Sequence, residues 1–295
     1  MQKVILRNWK TSPVLAVIAL VGVTAVWGWT FVIVKDAIVE MPVMDFLAVR
    51  FSVAAIIMLI LYPFSLRRIS LRCLWQGIVL GVLLGSSYIT QTFGLQWTSP
   101  AVSGFITGMS VVFTPVLAWV ILRRQINRNT WIAVGLAIIG LILLSLRGWV
   151  FGSGELLTLT CALFVAFHII GLGAWSSQHE AYSLALVQIT TVAVICLIAA
   201  APGGIMLPPD SSVWWTVGIT AVLATALAFL VQTWAQSIIS PTLTAVVLTM
   251  EPVFAGVFSV AFAGEQLTVR LIIGAVCILA AMLIAQIKRG TKQKG

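Results

Sequence analysis

The sequence predicts an all-α integral membrane protein, with ten transmembrane helices arranged as two inverted five-helix repeats around a central cavity. Three observations support this fold class: the composition, the number of long apolar segments, and an internal repeat. The chain has 295 residues, of which 61% are hydrophobic and only 8% are charged. Soluble domains carry about 25% charged residues, so the composition excludes a soluble globular fold.

Long apolar segments recur along the whole chain. A membrane-spanning helix needs about 20 apolar residues, and ten segments approach or exceed that length. The predicted helices cover residues 12–34, 42–63, 71–95, 100–122, 129–147, 152–174, 182–201, 212–236, 241–263 and 267–287. The first is too long for the core of a signal peptide. Because the connections are short, the sequence predicts one membrane domain overall.

A repeated pattern relates the two halves of the chain. Ser99-Pro100 opens the fourth predicted helix and Ser240-Pro241 opens the ninth, 141 residues later. Further matches at the same offset, without gaps, are Gln91-Thr92 with Gln232-Thr233, Met109 with Met250, Val112-Phe113 with Val253-Phe254, and Gln125 with Gln266. Such a pattern indicates duplication, so we expect a first repeat at residues 1–147 and a second at 148–295.

The Lys and Arg residues predict the orientation. Alternate connections, starting with the N-terminus, hold 13 of these residues, whereas the opposite connections hold 3. Basic residues concentrate on the cytoplasmic side of a membrane. We therefore expect a multi-pass protein of the plasma or inner membrane with both termini cytoplasmic. Five helices per repeat is an odd number, so the two repeats would insert with opposite orientations.

Polar side chains inside the predicted helices are candidates for a binding site. Glu251 is the one acid well inside a predicted span, where a charge costs about 2.5–3.5 kcal/mol on insertion scales. It could bind a substrate amine or a coupling proton, or it could be a protonated or paired structural residue. Gln91 and Gln232, at matching depths, could bind polar substrate groups or bridge helices.

Three further polar residues have both functional and structural interpretations. Ser110 lies on a polar face of the fourth predicted helix and matches Glu251 at the repeat offset. His168, at mid-membrane depth, could relay protons, but a hydrogen-bonded structural histidine is the simpler interpretation. Arg50 could meet a carboxylate in the cavity; we expect instead that it pairs with Asp45 or Glu40, or reaches the membrane interface.

Aromatic residues complete the predicted site. Trp27 and Trp29 lie deep in the first predicted helix, beside Gly28, and could form an apolar floor or simply pack. Tyr88 is one turn from Gln91. The predicted substrate-binding residues are therefore Trp27, Trp29, Tyr88, Gln91, Ser110, His168, Gln232 and Glu251.

Proline and glycine predict how the helices bend and pack. Serine can cap a helix whose first residue is proline, which explains the Ser-Pro pairs. Pro115 and Pro252 lie inside the fourth and ninth predicted helices and each removes a backbone donor, so we expect bent, cavity-facing helices. Small residues let helices approach closely. Glycines recur at four-residue spacing at Gly77, Gly81 and Gly85, and at Gly104 and Gly108 in the next helix.

No motif indicates catalysis, a cofactor or a metal. The sequence contains no Gly-rich Walker sequence, no HExxH and no GxSxG. The four cysteines are scattered, and we interpret them as small apolar residues: Cys73, Cys161, Cys196 and Cys277. We therefore expect no enzyme, no cofactor, no metal site and no nucleic-acid partner.

Residues 250–255 (Met-Glu-Pro-Val-Phe-Ala), followed by 263–268 (Ala-Gly-Glu-Gln-Leu-Thr) and Gly274, resemble the signature of the EamA family, in the drug/metabolite transporter superfamily. Residues 25–28 (Ala-Val-Trp-Gly), with Lys35 and Arg50, resemble its first-helix pattern. The resemblance covers nearly the whole chain and is closest to the YddG-type exporters of amino acids. It implies alternating-access transport through a cavity lined by the first, third, fourth, sixth, eighth and ninth helices.

The chain departs from the pattern in one place, because Arg123-Arg124 stands where the second repeat has Gly264-Glu265. The two repeats are therefore not equivalent in function.

The sequence and the resemblance together predict a secondary transporter. We expect it to export small amphipathic metabolites, foremost aromatic and other neutral amino acids. One alternative is an exporter of cationic drugs or toxic compounds, with Glu251 as the counter-charge. Another is a non-transporting scaffold or a flippase-like protein. Proton coupling through Glu251 or His168, uncoupled export, and the oligomeric state all stay open at this stage.

Overall fold

The protein is a bundle of helices in the computed structural model, which describes residues 12–122, 128–145, 152–239, 244 and 247–286. The helices are α1 Pro13–Glu40, α2 Val43–Leu61, α3 Leu71–Trp97, α4 Pro100–Gly108, α5 Ser110–Leu122, α6 Arg128–Ser145, α7 Ser153–Trp175, α8 Ala181–Ala200, α9 Ser211–Ala221, α10 Ala228–Ile238, α11 Met250–Phe262 and α12 Val269–Gln286. A π-helical segment, Val222–Leu227, joins α9 to α10. Within these residues there is no β-strand.

The helices confirm an all-helical membrane protein. In the described ranges, seven helical segments are long and apolar enough to cross a membrane. Three shorter apolar helices, Trp131–Gly140, Met250–Phe262 and Val269–Ile284, lie where further spans were expected. Because these three are shorter than a full span, the number ten stays a prediction.

The first helix continues past its predicted end at residue 34. A hydropathy pattern stops at Lys35, but α1 runs on to Glu40. The ammonium group of Lys35 donates to the carbonyl oxygens of Leu95, Gln96 and Thr98, at 2.5, 3.0 and 2.9 Å. A helix leaves its last carbonyls without partners, so Lys35 caps the end of α3. Because these carbonyls satisfy the ammonium group, α1 can continue past Lys35.

The fourth predicted helix is interrupted, although not at its proline. The break falls at Met109, between α4 and α5 and six residues before Pro115. Met109 N donates to Ile106 O, three residues back, at 3.0 Å, which is the tighter pattern of a 3₁₀ turn. Thr249, just before α11, has nearly the same backbone angles as Met109. At the repeat offset Met109 corresponds to Met250, so the chain breaks within one residue of the matching place in the second half.

The predicted Ser-Pro helix start is confirmed at α4. Ser99 Oγ accepts a hydrogen bond from Val102 N at 3.3 Å, and Pro100 is the first helical residue. The second pair, Ser240-Pro241, and the Arg123-Arg124 pair lie outside the described residues.

The glycine face of α3 packs within the chain, against α8. A Cβ on Gly81 would lie 2.5 Å from Cβ of Thr191 and 2.8 Å from the carbonyl oxygen of Gln188. A Cβ on Gly77 would lie 2.5 Å from Cγ1 of Val187. These distances are too short for any side chain, so glycine sets the separation of the two helices.

Helix α11 makes a similar close approach to α1 and α4. A Cβ on Gly28 of α1 would lie 2.6 Å from Cβ of Phe254 and 2.7 Å from the backbone nitrogen of Ala255. A Cβ on Gly104 of α4 would lie 2.5 Å from Cβ of Ala255. Glu251 lies one turn before Ala255 on α11, so this crossing brings the carboxylate toward the middle of the bundle.

We expect Gly81→Ala to destabilise the protein, because the added methyl group must push α3 away from α8. Overpacking of this kind costs about 1–3 kcal/mol. Gly218→Ala on α9 is the matched control, since a Cβ there meets nothing within 4 Å and Ala favours a helix over Gly. Thermal unfolding in detergent should show a lower midpoint for Gly81→Ala alone. Equal midpoints for the two variants would contradict the close contact.

Candidate functional site

A cavity of about 80 Å³ lies between α1, α2, α3, α4, α5, α7, α10 and α11. One ordered water needs roughly 10–15 Å³ of such space, so the cavity has room for several waters or for a small polar group. A larger solute requires the surrounding helices to separate. The polar side chains in the lining are Thr30, Arg50, Ser87, Tyr88, Gln91, Thr92, Thr107, Ser110, His168, Gln232 and Glu251.

Seven of the eight predicted binding residues line this one cavity. They are Trp27, Tyr88, Gln91, Ser110, His168, Gln232 and Glu251. Trp29 does not belong to the lining. Residues two apart on an α-helix point in nearly opposite directions, so when Trp27 faces the cavity Trp29 faces away from it.

An aromatic wall forms one side of the cavity, centred on Phe229 of α10. The ring of Phe229 lies 5.5 Å from Trp27, 6.0 Å from Tyr88 and 6.3 Å from His168, measured between centroids. Sequence reasoning missed Phe229, because one phenylalanine among apolar residues carries no signal by itself. It stands 141 residues after Tyr88, so the repeat offset identifies it.

The polar residues facing this wall make few hydrogen bonds. Gln91 Nε2 donates to Thr107 Oγ1 at 3.2 Å. The amide oxygen of Gln232 is buried and has no hydrogen-bond partner among the described residues. Glu251 likewise has no hydrogen-bond or ion-pair partner in the described part of the chain. The free acceptors of Gln232 and Glu251 are therefore available to a donor inside the cavity.

His168 is hydrogen-bonded, as its structural interpretation expected. Its Nε2 lies 2.8 Å from Oε1 of Gln188, and the amide nitrogen of Gln188 donates to Leu184 O at 3.1 Å. With the amide placed this way, Oε1 accepts and Nε2 carries the proton. The bond fixes the ring on α7 against α8 and orients it toward Phe229.

Arg50 does not pair with Asp45 or Glu40, and the expectation that it would is wrong. Its side chain is 3% exposed and lines the cavity. Arg50 Nε donates to Thr225 Oγ1 at 3.0 Å, while Asp45 Oδ2 accepts from Met206 N at 3.4 Å. The partner of Arg50 is 175 residues away, and no local pattern in the sequence indicates it.

The π-helical segment Val222–Leu227 supplies two contacts at the edge of the cavity. Ala224 O accepts a hydrogen bond from Trp27 Nε1 at 2.8 Å, and Thr225 Oγ1 accepts from Arg50 Nε. A π-turn is wider than an α-turn and is common at functional sites. The segment therefore fixes Trp27 and Arg50 in place, and apolar composition alone did not predict it.

Glu265, in the connection between α11 and α12, binds the start of α4. Its carboxylate accepts from Ser99 Oγ at 2.6 Å and from Ala101 N at 3.4 Å, and it also contacts Ser259 Oγ. The neighbouring Gly264 has φ 65°, which glycine adopts readily. A carboxylate stabilises a helix N-terminus, so Glu265 holds this connection against α4.

Membrane-length helices around a buried polar cavity are the architecture of a multi-pass transport protein. A model of the EamA-like transporter family matches residues 14–146 and, separately, residues 152–286. The chain belongs to the EamA-like transporter family, within the drug/metabolite transporter superfamily.

Similar sequences occur in archaea, bacteria and plants. An uncharacterized transporter of Archaeoglobus fulgidus is 32% identical over 271 residues, covering 92% of this chain and 85% of its own. The uncharacterized transporter YoaV of Bacillus subtilis is 22% identical over 298 residues, 90% of this chain and 95% of its own. A WAT1-related protein of Arabidopsis thaliana is 23% identical, covering 79% and 76%.

A solved crystal structure shares the fold. It superposes with a TM-score of 0.64 over 90% of this chain and 95% of its own, at 17% identity. Identity at this level shows the fold and does not identify the substrate.

Trp27 and Trp29 form a matched pair for testing the cavity. Trp27→Phe removes the hydrogen bond that Nε1 donates to Ala224 O, a contact that contributes about 0.5–1.5 kcal/mol. We expect it to slow solute counterflow in reconstituted vesicles, whereas Trp29→Phe should leave counterflow close to the wild-type rate. Slower counterflow for Trp29→Phe alone would contradict the placement of the two residues.

Proposed function

We propose that this protein is a secondary transporter that exports small amphipathic metabolites, foremost aromatic and other neutral amino acids, by alternating access through the cavity. The observation that carries this proposal is the lining itself. One cavity combines an aromatic wall with unpaired polar acceptors, which suits a solute with an apolar body and a polar head. Few charged groups line the space, so it does not select one particular side chain.

Each part of the substrate has a proposed contact. Trp27 and Tyr88, with Phe229 between them, would contact the apolar side chain. Glu251 would bind the ammonium group, since the carboxylate is the acceptor of highest charge in the lining. The amides of Gln91 and Gln232 and the hydroxyl of Ser110 would contact the remaining polar atoms. His168 would position Phe229, and Trp29 has no proposed contact.

The proposed topology has two inverted repeats, at residues 1–147 and 148–295, in the plasma or inner membrane with both termini cytoplasmic. Two facts support it. The family model matches the chain twice, and residues related by the repeat offset line the same cavity. These pairs are Tyr88 with Phe229, Gln91 with Gln232, Thr107 with Leu248, and Ser110 with Glu251. Inverted repeats place the substrate at their interface near the bilayer midplane.

This topology gives Lys35 and Glu265 a part in alternating access. Both lie at the non-cytoplasmic ends of their helices in the proposed orientation. Lys35 joins α1 to the end of α3, and Glu265 joins the α11–α12 connection to the start of α4. Release of a solute to that side would require α4 and the α11–α12 connection to separate.

A second candidate is the export of aromatic cations, because Glu251 and an aromatic wall line the same cavity and aromatic faces attract cations. Counterflow into vesicles loaded with unlabelled amino acids distinguishes the two functions. Uptake of labelled phenylalanine and methionine would support the proposal. Uptake of labelled methyl viologen into vesicles loaded with unlabelled methyl viologen, without uptake of either amino acid in the first experiment, would replace it with cation export. Absence of flux for all three would overturn both.

Glu251→Gln should lower phenylalanine counterflow by at least about tenfold, because a hydrogen bond to a charged group contributes about 1.5–3 kcal/mol. Glu40→Gln is the matched control, since Glu40 is exposed at the end of α1. Both rates would be measured at equal amounts of reconstituted protein, with and without a pH gradient. A wild-type rate for Glu251→Gln would remove this residue from the mechanism. Loss of the gradient's effect in Glu251→Gln alone would assign proton coupling to Glu251.

A further inference from the structure

We propose that Arg50 is a carboxylate-binding residue of the cavity, so that the transported solute is an organic carboxylate with an apolar body. This inference deepens the proposed function and rests on it for the route of transport. It assigns to Arg50 a role that the sequence did not favour.

Arg50 is a buried cation without a counter-ion in the described part of the chain. Its side chain is 3% exposed. The salt bridge found among the described residues joins Arg68 to Glu180, at 2.8 Å. Glu251 lines the same cavity but lies beyond ion-pair distance of Arg50. A buried charge without its partner is strongly destabilising, so binding of an anion beside Arg50 is favoured.

The guanidinium group is fixed in position by neutral groups. Nε donates to Thr225 Oγ1 at 3.0 Å. Its Cζ lies over two aromatic rings, 4.7 Å from the centroid of Tyr88 and 5.4 Å from that of Phe51. The guanidinium is a planar, rigid fork of donors. Thr225 and the two rings therefore hold the guanidinium without neutralising it.

One edge of the guanidinium remains for a ligand. Nη2 makes a long contact of 3.5 Å to the hydroxyl of Tyr88, and Nη1 has no hydrogen-bond partner among the described residues. A carboxylate binds such an edge through two parallel N–H···O bonds. An ammonium or quaternary cation would be repelled there. The cavity thus contains a fixed positive group as well as the carboxylate of Glu251, which suits a zwitterion better than a cation.

The experiment compares three related solutes as competitors of labelled phenylalanine in counterflow. Unlabelled phenylalanine has both charges, 3-phenylpropanoate keeps the carboxylate and lacks the ammonium group, and phenylalaninamide keeps the ammonium group and lacks the carboxylate. For the wild type we expect 3-phenylpropanoate to compete and phenylalaninamide to be at least about tenfold weaker than phenylalanine, the factor that a lost charged hydrogen bond predicts. Direct binding of labelled 3-phenylpropanoate in detergent gives a second readout that needs no flux.

Three variants and a control locate the effect at Arg50. Arg50→Gln should abolish the preference for phenylalanine over phenylalaninamide, and Arg50→Lys, which keeps the charge but not the fork, should retain part of it. Thr225→Val should raise the KM for phenylalanine more than it lowers the maximal rate. Arg72→Gln, at an exposed position of α3, should behave as the wild type. If Arg50→Gln does not fold, Arg50→Lys and Thr225→Val still test the inference, because both keep the positive charge at position 50.

The outcomes separate this inference from the proposed function. Phenylalanine counterflow with an unchanged solute preference in Arg50→Gln and Arg50→Lys would overturn the inference and leave the function standing. Binding of 3-phenylpropanoate that depends on Arg50, without any amino-acid flux, would support the inference and overturn amino-acid export. Competition by chloride and by no carboxylate would assign Arg50 to a small-anion site and overturn the inference.

Discussion

The close approach of α11 to α1 and α4 is the constraint on which the cavity depends. Gly28 and Gly104 leave no room for a side chain where α11 crosses them, and Ala255 fills the contact on the other side. This crossing, together with the break at Met109, places Glu251 and Ser110 on the lining of one space. Larger residues at these glycines would separate the helices and open the polar interior to lipid.

Within a membrane, polar groups must find partners inside the protein. The structure meets this requirement with specific contacts at helix ends, where Lys35 caps α3 and Glu265 binds the start of α4. The π-helical segment does the same at the cavity edge. Other buried polar atoms among the described residues also have no hydrogen-bond partner, for example Oγ of Ser103 and Oγ1 of Thr233. The acceptors of Gln232 and Glu251 differ from these because both residues line the cavity, and this position is the physical basis for a solute-binding site.

Much of the cavity lining was predictable from the sequence, because only 8% of the residues are charged and the polar ones inside apolar segments stand out. A polar residue inside an apolar segment is costly and therefore a candidate for function, and seven of the eight residues chosen in this way line one cavity. The contacts of Arg50 were not predictable, since Thr225 is distant in sequence and reaches Arg50 through a π-turn that composition does not reveal. Trp27 and Trp29 lie at similar depth in α1 but point in nearly opposite directions around the helix, so only Trp27 lines the cavity.

The most direct test of the account is to measure whether a transported solute occupies this cavity. In a variant without the native cysteines, Ser110→Cys would be alkylated with a small maleimide, with and without saturating phenylalanine, and Trp29→Cys would be alkylated in parallel. If the cavity is the route of transport, phenylalanine slows the modification at position 110 and leaves the rate of modification at position 29 unchanged. Equal rates at position 110 with and without phenylalanine, in protein that still transports phenylalanine, would contradict the cavity as the route of transport.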